Sequence, residues 1–433
     1  MTLVKFLFGL TTLFWGVAGH AIEIQTLQSK DGIPIWLVED HTLPFVALEV
    51  GFDGGTSSEP QEKRGVTNLM MGLLEEGAGD LDAQGFATTR EELAASFGYS
   101  AYSDSLSVSA RFLTDNAASS IDLLRQSLVA PRFDQDAIER VRAQVETSIR
   151  SREKDQNDIA AWSWNGTIFG KHPYGTSQDG TLETIGALTQ ADLKAAHKAA
   201  LTKDRAMVSI VGDVTAQQAV SLVDRLLGDL PDASAWPLPN LADLTLDAGV
   251  QVVDYPTPQS VILFGHKGID EKDDDFFAAF VLNVILGGGN FENRLMTELR
   301  EKRGLTYGVG TSLASRKYSD LIVGRFATAN DRVAQAIEVV RDVWRDIAEN
   351  GVTADEVNRA KTYLTGAYPL RFDGNGRIAG ILTGMQLQGR APEYVDIRND
   401  LVNAVTPQDV SRVARRLLSE GALKFVVVGQ PDL

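Results

Sequence analysis

Two stretches of this 433-residue chain are diverged copies of one another. Residues 189–214 read TQADLKAAHKAALTKDRAMVSIVGDV, and residues 406–431 read TPQDVSRVARRLLSEGALKFVVVGQP. Thr189 matches Thr406, Asp192 matches Asp409 and Gly212 matches Gly429, all at an offset of 217 without a gap. Each copy reads as a Thr-capped helix followed by a buried strand that stops at glycine. A second pair agrees with the first. DQDAIERVR in the segment 133–150 matches TADEVNRAK after Gly351, placing Ile138 against Val357 and Arg140 against Arg359. Two helices repeating at nearly one offset imply that a whole domain has been duplicated. A solenoid would repeat every 20–50 residues, as a rule.

The order of elements is the same in each half. Short strands come first, at 32–39 and 45–52 in one half and at 251–254 and 260–265 in the other. Amphipathic helices follow, at 117–129 and 134–151, then at 331–350 and 353–367. Strands grouped before helices argue for an α+β fold of two homologous lobes, each with helices packed on a largely antiparallel sheet. The Pro- and Asp-rich stretch 231–249 has linker composition, so the lobes are expected at 22–230 and 250–433.

The N-terminus and the charge narrow the functional classes. Lys5 precedes an apolar run over 6–18, with small residues at Gly19 and Ala21. That is the order of a secretory leader over 1–21, and it predicts export to the periplasm. The run is too short to span a bilayer, so no stable membrane span is expected. Asp and Glu outnumber Lys and Arg by 58 to 41. A surface so acidic repels phosphate backbones, which argues against nucleic acid as a partner. With no cysteine in the chain, thiolate nucleophiles and Cys-ligated zinc are excluded.

The histidines are His20, His41, His172, His197 and His266, and no two lie three or four residues apart. No helix can therefore offer two imidazoles to one metal. HExxH, HxxEH, GxSxG and the phosphate-binding loop are all missing. The triplet Gly287–Gly288–Gly289 lacks the Lys and Ser/Thr of a phosphate cradle and reads as a turn.

Two segments resemble the pitrilysin/insulinase-like zinc metallopeptidase family, in its processing-peptidase-like branch. In that family a helix after the first strands carries Gly-Leu/Val-Ala-His-x-x-Glu-His-x-x-x-x-Gly. Here residues 65–77 read GVTNLMMGLLEEG. The glycine frame is kept, but the resemblance places Asn68 at the first zinc histidine, Met71 at the general-base glutamate and Gly72 at the second histidine. The third ligand, a glutamate on the helix matching AIERVRAQVETSI, falls on Ser148. Glu146 lies two positions earlier and points about 200° away around a helix. The four positions supply no zinc donor set and no base, so no metal is expected in this chain. The second segment is intact. Residues 293–308, NRLMTELREKRGLTYG, closely resemble the Arg/Tyr signature of the family's C-terminal lobe. There Arg300 is expected in the last turn of a helix, Gly304 at its left-handed end and Tyr307 at the start of a strand. The resemblance implies that the tyrosine donates to the developing oxyanion and the arginine holds substrate backbone, both facing a zinc site on another chain.

On this reading the chain is the non-catalytic subunit of a heterodimeric zinc peptidase. Its partner is a homologous HxxEH-bearing catalytic subunit that carries the zinc, and its substrate is a peptide or unfolded polypeptide. One departure is that 100–102 reads Ser-Ala-Tyr, where catalytic relatives carry Asn-Ala-Tyr on an edge strand. The alternatives are a structural or peptide-binding pseudo-peptidase, and a self-sufficient peptidase with an unrecognised site. The last has only His41, His172 and His197 to draw on in the first lobe.

Overall fold

A computed structural model describes residues 22–289, 292–418 and 420–433. The leader expected at 1–21 lies outside the described residues. The first lobe begins with strands β1 (Gln25–Gln28), β2 (Pro34–Glu39) and β3 (Phe45–Asp53), then the short helix α1 (Val66–Met71). A small hairpin, β4 (Gly77–Ala78) and β5 (Leu81–Asp82), leads through α2 (Ala83–Glu92) to β6 (Ser96–Ala101) and β7 (Ser105–Leu113). Helices α3 (Ala117–Val129), α4 (Gln135–Arg152), α5 (Gln156–Phe169), α6 (Leu182–Ala187) and α7 (Gln190–Ala200) follow. Strand β8 (Ala206–Gly212) and helix α8 (Ala216–Leu227) complete the lobe.

The second lobe repeats the plan. It opens with β9 (Gly249–Asp254), β10 (Gln259–Lys267) and α9 (Phe276–Leu286). A π-helical segment, Met296–Glu301, precedes β11 (Val309–Arg316) and β12 (Ser319–Ala329). Helices α10 (Val333–Asn350), α11 (Ala354–Ala367), α12 (Asn375–Leu387), α13 (Tyr394–Ala404) and α14 (Pro407–Leu417) lead to β13 (Lys424–Gly429).

The sheets have matching topologies. The first runs β1-β2-β8-β3-β7-β6 and the second β11-β12-β10-β13-β9. Each is antiparallel except for one pair, β2 with β8 and β9 with β13. Those parallel pairs arise because the last strand of each lobe returns to the sheet's middle. The duplicated helices are matched down to their first turns. Thr189 and Asp192 form a reciprocal capping box on α7, and Thr406 and Asp409 form the same box on α14. Each box satisfies two backbone N–H groups that the helix itself leaves without acceptors.

One face of each sheet buries its lobe's own helices. In the first lobe Leu48, Val50 and Val108 pack with Leu69, Leu124 and Ile138. In the second, Phe264 and Phe425 pack with Trp344, Val340 and Val413. The opposite face of each sheet is covered by a helix from the other lobe. Helix α5 lays Ala160, Trp164 and Ile168 on Val261, Leu263, Val426 and Val428 of the second sheet. Helix α12 lays Ala379, Leu382 and Met385 on Trp36 and Val211 of the first. Gly51 of β3 lets α12 approach closely: a β-carbon there would stand 2.6 Å from Thr383 Cγ2. Side-chain amides fasten both helices. Gln156 Nε2 donates to the carbonyls of Gln259 and Val428 at 2.8 and 2.7 Å. Gln386 Nε2 donates to the Val208 carbonyl at 2.9 Å.

No helix or strand lies between Leu227 and Gly249. The connection is nonetheless tied down. The Ala242 and Thr245 amides donate to the carbonyls of Tyr318 and Ile168, both at 2.9 Å, and Leu244 and Leu246 pack beside α5.

If the exchanged helices hold the lobes together, truncating either should loosen the whole chain. Trp164→Ala is expected to cost about 3–5 kcal/mol and Leu382→Ala about 2–5 kcal/mol. In urea, each variant should unfold in one transition, with its midpoint lowered. Two separate transitions, with only one displaced, would show that the lobes are independent.

Candidate functional site

Helix α1 is held from its N-terminus. Glu59 accepts the backbone N–H groups of Gly65 at 2.7 Å and Thr67 at 2.9 Å, and it pairs with Arg64 at 3.0 Å. Burial raises the Glu59 carboxyl and lowers the Arg64 guanidinium, and each partner's charge opposes the other's shift. Arg64 also donates to the carbonyls of Thr56, Pro173 and Ser177. The pair thus ties the start of α1 to the segment 173–177.

Along α1 the side chains follow packing. Leu69, Met70 and Met71 are buried in the core of the first lobe. Met71 therefore contributes hydrophobic contact where the resemblance places a general base. At Gly72 a β-carbon would already touch Val141 Cγ1 of α4 at 3.4 Å. Gly72 itself is exposed, so a larger side chain there would sit against Val141 at the surface of the helix. Ser148 follows Val141 by seven residues, about two helical turns, so it lies on the same side of α4. It is exposed. Glu146 pairs with Arg150 on the same helix at 3.0 Å.

The first-ligand position is occupied by a different network. The Asn68 amide Nδ2 donates to Asp179 Oδ1 at 2.9 Å. The other Asp179 oxygen accepts from Arg152, the last residue of α4. Arg152 Nε donates to Asp158 Oδ1 of α5 at 3.0 Å, and its guanidinium stands 5.5 Å from the Trp162 ring centroid. Asn68 is therefore linked to α4 and α5 through an ion pair. Zinc requires three protein donors with lone pairs available, and this arrangement offers an amide already committed, a thioether in the core, a glycine and an exposed hydroxyl. The residues do not fit the metal. Among the described residues no three His, Asp or Glu side chains converge as a metal site.

The histidines among the described residues have separate tasks. His197 Nε2 donates to the Leu128 carbonyl at 2.8 Å. His266 Nε2 accepts from Trp344 Nε1 at 2.9 Å, leaving Nδ1 to donate to the Lys267 carbonyl at 2.7 Å. Burial lowers both imidazoles, keeping them neutral. His172 donates to the Asn240 carbonyl and accepts from the Tyr174 N–H. His41 lies exposed between Asp213 and Glu39.

Arg300 and Tyr307 lie in the second lobe on either side of one helix end. The helix is π-wound at Arg300, with the Lys302 amide donating to the Thr297 carbonyl. It closes with the Gly304 and Leu305 amides donating to the carbonyls of Arg300 and Leu299. Gly304 has a φ of +60°, the left-handed geometry such an ending requires. Tyr307 falls two residues before β11, so it belongs to the loop and not to the strand as expected. It is 90% exposed. Arg300 is exposed as well. Strand β6 lies at an edge of the first sheet, and Tyr102 just beyond it is exposed.

The residues that sequence reading missed are Arg152, Asp158 and Asp179. Nothing in their spacing joins them, because the network spans three separate elements.

Comparison with known proteins agrees with this layout. Residues 35–181 match the family described as Insulinase (Peptidase family M16), and residues 187–364 match Peptidase M16 inactive domain. A Helicobacter pylori protein named non-peptidase homolog YmxG is 28% identical over 83% of each chain. The Neurospora crassa mitochondrial-processing peptidase subunit beta is 23% identical, over 95% of this chain and 89% of its own. A crystal structure described as a peptidase M16 inactive domain from Pseudomonas fluorescens superposes with a TM-score of 0.88 at 27% identity, covering 95% of this chain and 98% of that one.

Returning imidazoles to 68 and 72 should not recreate a zinc site. The Asn68→His/Gly72→His variant is expected to hold well under one equivalent of zinc by elemental analysis after dialysis. One tightly held equivalent in the double variant would mean that the site lies elsewhere.

Proposed function

Since the chain belongs to the insulinase-type M16 peptidase family, we propose that it is a non-catalytic subunit working with a homologous HxxEH-bearing chain on peptides or unfolded polypeptides. In this reading the partner carries the zinc and the general base, and this chain contributes Arg300 and Tyr307. The observation that supports it most is Tyr307. A phenol left 90% exposed stabilises nothing within its own lobe. It stands on a loop that follows the hydrogen-bonded Gly304 helix ending, free to face a second chain. Its hydroxyl can donate to a peptide carbonyl as that oxygen gains charge, and the nearby Arg300 can hold neighbouring substrate backbone. The expected leader places the pair of chains in an exported compartment.

The second reading is a structural or peptide-binding pseudo-peptidase with no part in catalysis. The name of the H. pylori relative favours it.

Kinetics on the reconstituted complex separate the two. Tyr307→Phe should lower kcat by about 10²–10³ with little change in KM, as loss of one oxyanion donor typically does. Arg300→Ala should lower kcat and also raise KM. Both variants should still co-elute with the partner on size exclusion. Wild-type rates in both would leave the pseudo-peptidase reading standing.

A further inference from the structure

Where the β11–β12 hairpin of the second lobe meets the first lobe, the two wall a cavity of about 220 Å3. Three guanidiniums line it, those of Arg64, Arg152 and Arg316, against one carboxylate, Asp179. Two of the cations are already matched: Arg64 by Glu59, and Arg152 by Asp158 and Asp179.

Arg316 is different. It stands over rings, 5.6 Å from the Phe169 centroid and 5.1 Å from that of Tyr174, and no ion pair among the described residues includes it. The rings beneath it are fixed. They pack edge to face at 5.3 Å, and the Tyr174 hydroxyl is held by both oxygens of Asp104 at 2.6 Å. A guanidinium on such a platform keeps its planar fork of donors oriented, which suits a carboxylate. Asn165, which also lines the cavity, has an amide without a protein partner among the described residues, able to pair with one peptide unit. One unmatched cation favours a monoanion over a phosphate dianion, and the small volume admits a short chain end.

We propose that this cavity binds a carboxylate-bearing peptide end, with the carboxylate on Arg316 and the adjoining amide on Asn165. The proposal rests on the peptide-handling role above, and it adds a site beside the degenerate metal position, since Asp179 in its wall also accepts from Asn68. The same carboxylate chemistry could come from a free small acid, and the test separates the sources.

Isothermal titration calorimetry on the mature chain alone, with no partner and no turnover, isolates this site from the composite one. The probes are the dipeptide Ala-Ala, its C-terminal amide and acetate. Ala-Ala should bind at least about tenfold more tightly than its amide, and Arg316→Gln should weaken it by a similar factor, as loss of a charge-assisted contact does. Arg316→Lys should fall between. Asn165→Leu, checked by an unchanged urea midpoint because Asn165 lies on α5, should also weaken Ala-Ala but not acetate. Acetate binding as tightly as Ala-Ala would support the carboxylate site and overturn the peptide source. Equal affinity for acid and amide, or unchanged binding in both Arg316→Gln and Asn165→Leu, would overturn the proposal.

Discussion

The interaction on which this structure depends is the exchange of helices α5 and α12. Each sheet has two apolar faces, and each lobe's own helices cover only one. The second face of the first sheet is closed by Leu382 and Met385 from the second lobe. The second face of the second sheet is closed by Trp164 and Ile168 from the first. The exchange is reciprocal because the domain is duplicated: α5 begins at Gln156 and α12 at Asn375, close to the offset of the sequence repeat. Neither lobe can bury its apolar surface alone, and the lobes are joined through hydrophobic area, the largest favourable term in folding.

A junction of that kind fixes positions in both lobes at once. Polar contacts reinforce it where the β11–β12 hairpin inserts. Lys317 pairs with Asp53, and the Tyr318 amide donates to the Tyr174 hydroxyl at 3.3 Å. The degenerate metal position and the Arg300/Tyr307 loop are therefore held on one body. What was lost at the first position has been replaced by structure. Met71 fills the core, Val141 closes on Gly72, and Arg152 with Asp179 cross-links α4 to Asn68. Chemistry was not preserved in a different form there. Tyr307, by contrast, is exposed on its loop and packs into neither lobe's core.

Much of this was readable from local sequence. The Thr caps at Thr189 and Thr406, the helices at 117–129 and 353–367 and the strands at 32–39, 45–52, 251–254 and 260–265 follow from hydrophobic period and capping residues, and the structure reproduces them within a residue or two. The helix exchange was not readable. The pattern IAAWSWNGTIF in α5 says that the helix is buried, but burial does not name the sheet that buries it. The π-winding at Met296–Glu301 was equally invisible, since the residues are ordinary helix formers. Tyr307, expected at the start of a strand, instead lies two residues before that strand begins at Val309. The Asn68–Asp179–Arg152 network escaped because ion pairs between distant elements leave no periodic trace.

The central claim is that this chain, by itself, is not a peptidase. Elemental analysis of the purified mature protein, run beside a peptide-hydrolysis assay with and without chelator, tests it most directly. The account predicts no stoichiometric zinc and no chelator-sensitive cleavage. One equivalent of firmly bound zinc together with cleavage that a chelator abolishes would contradict it.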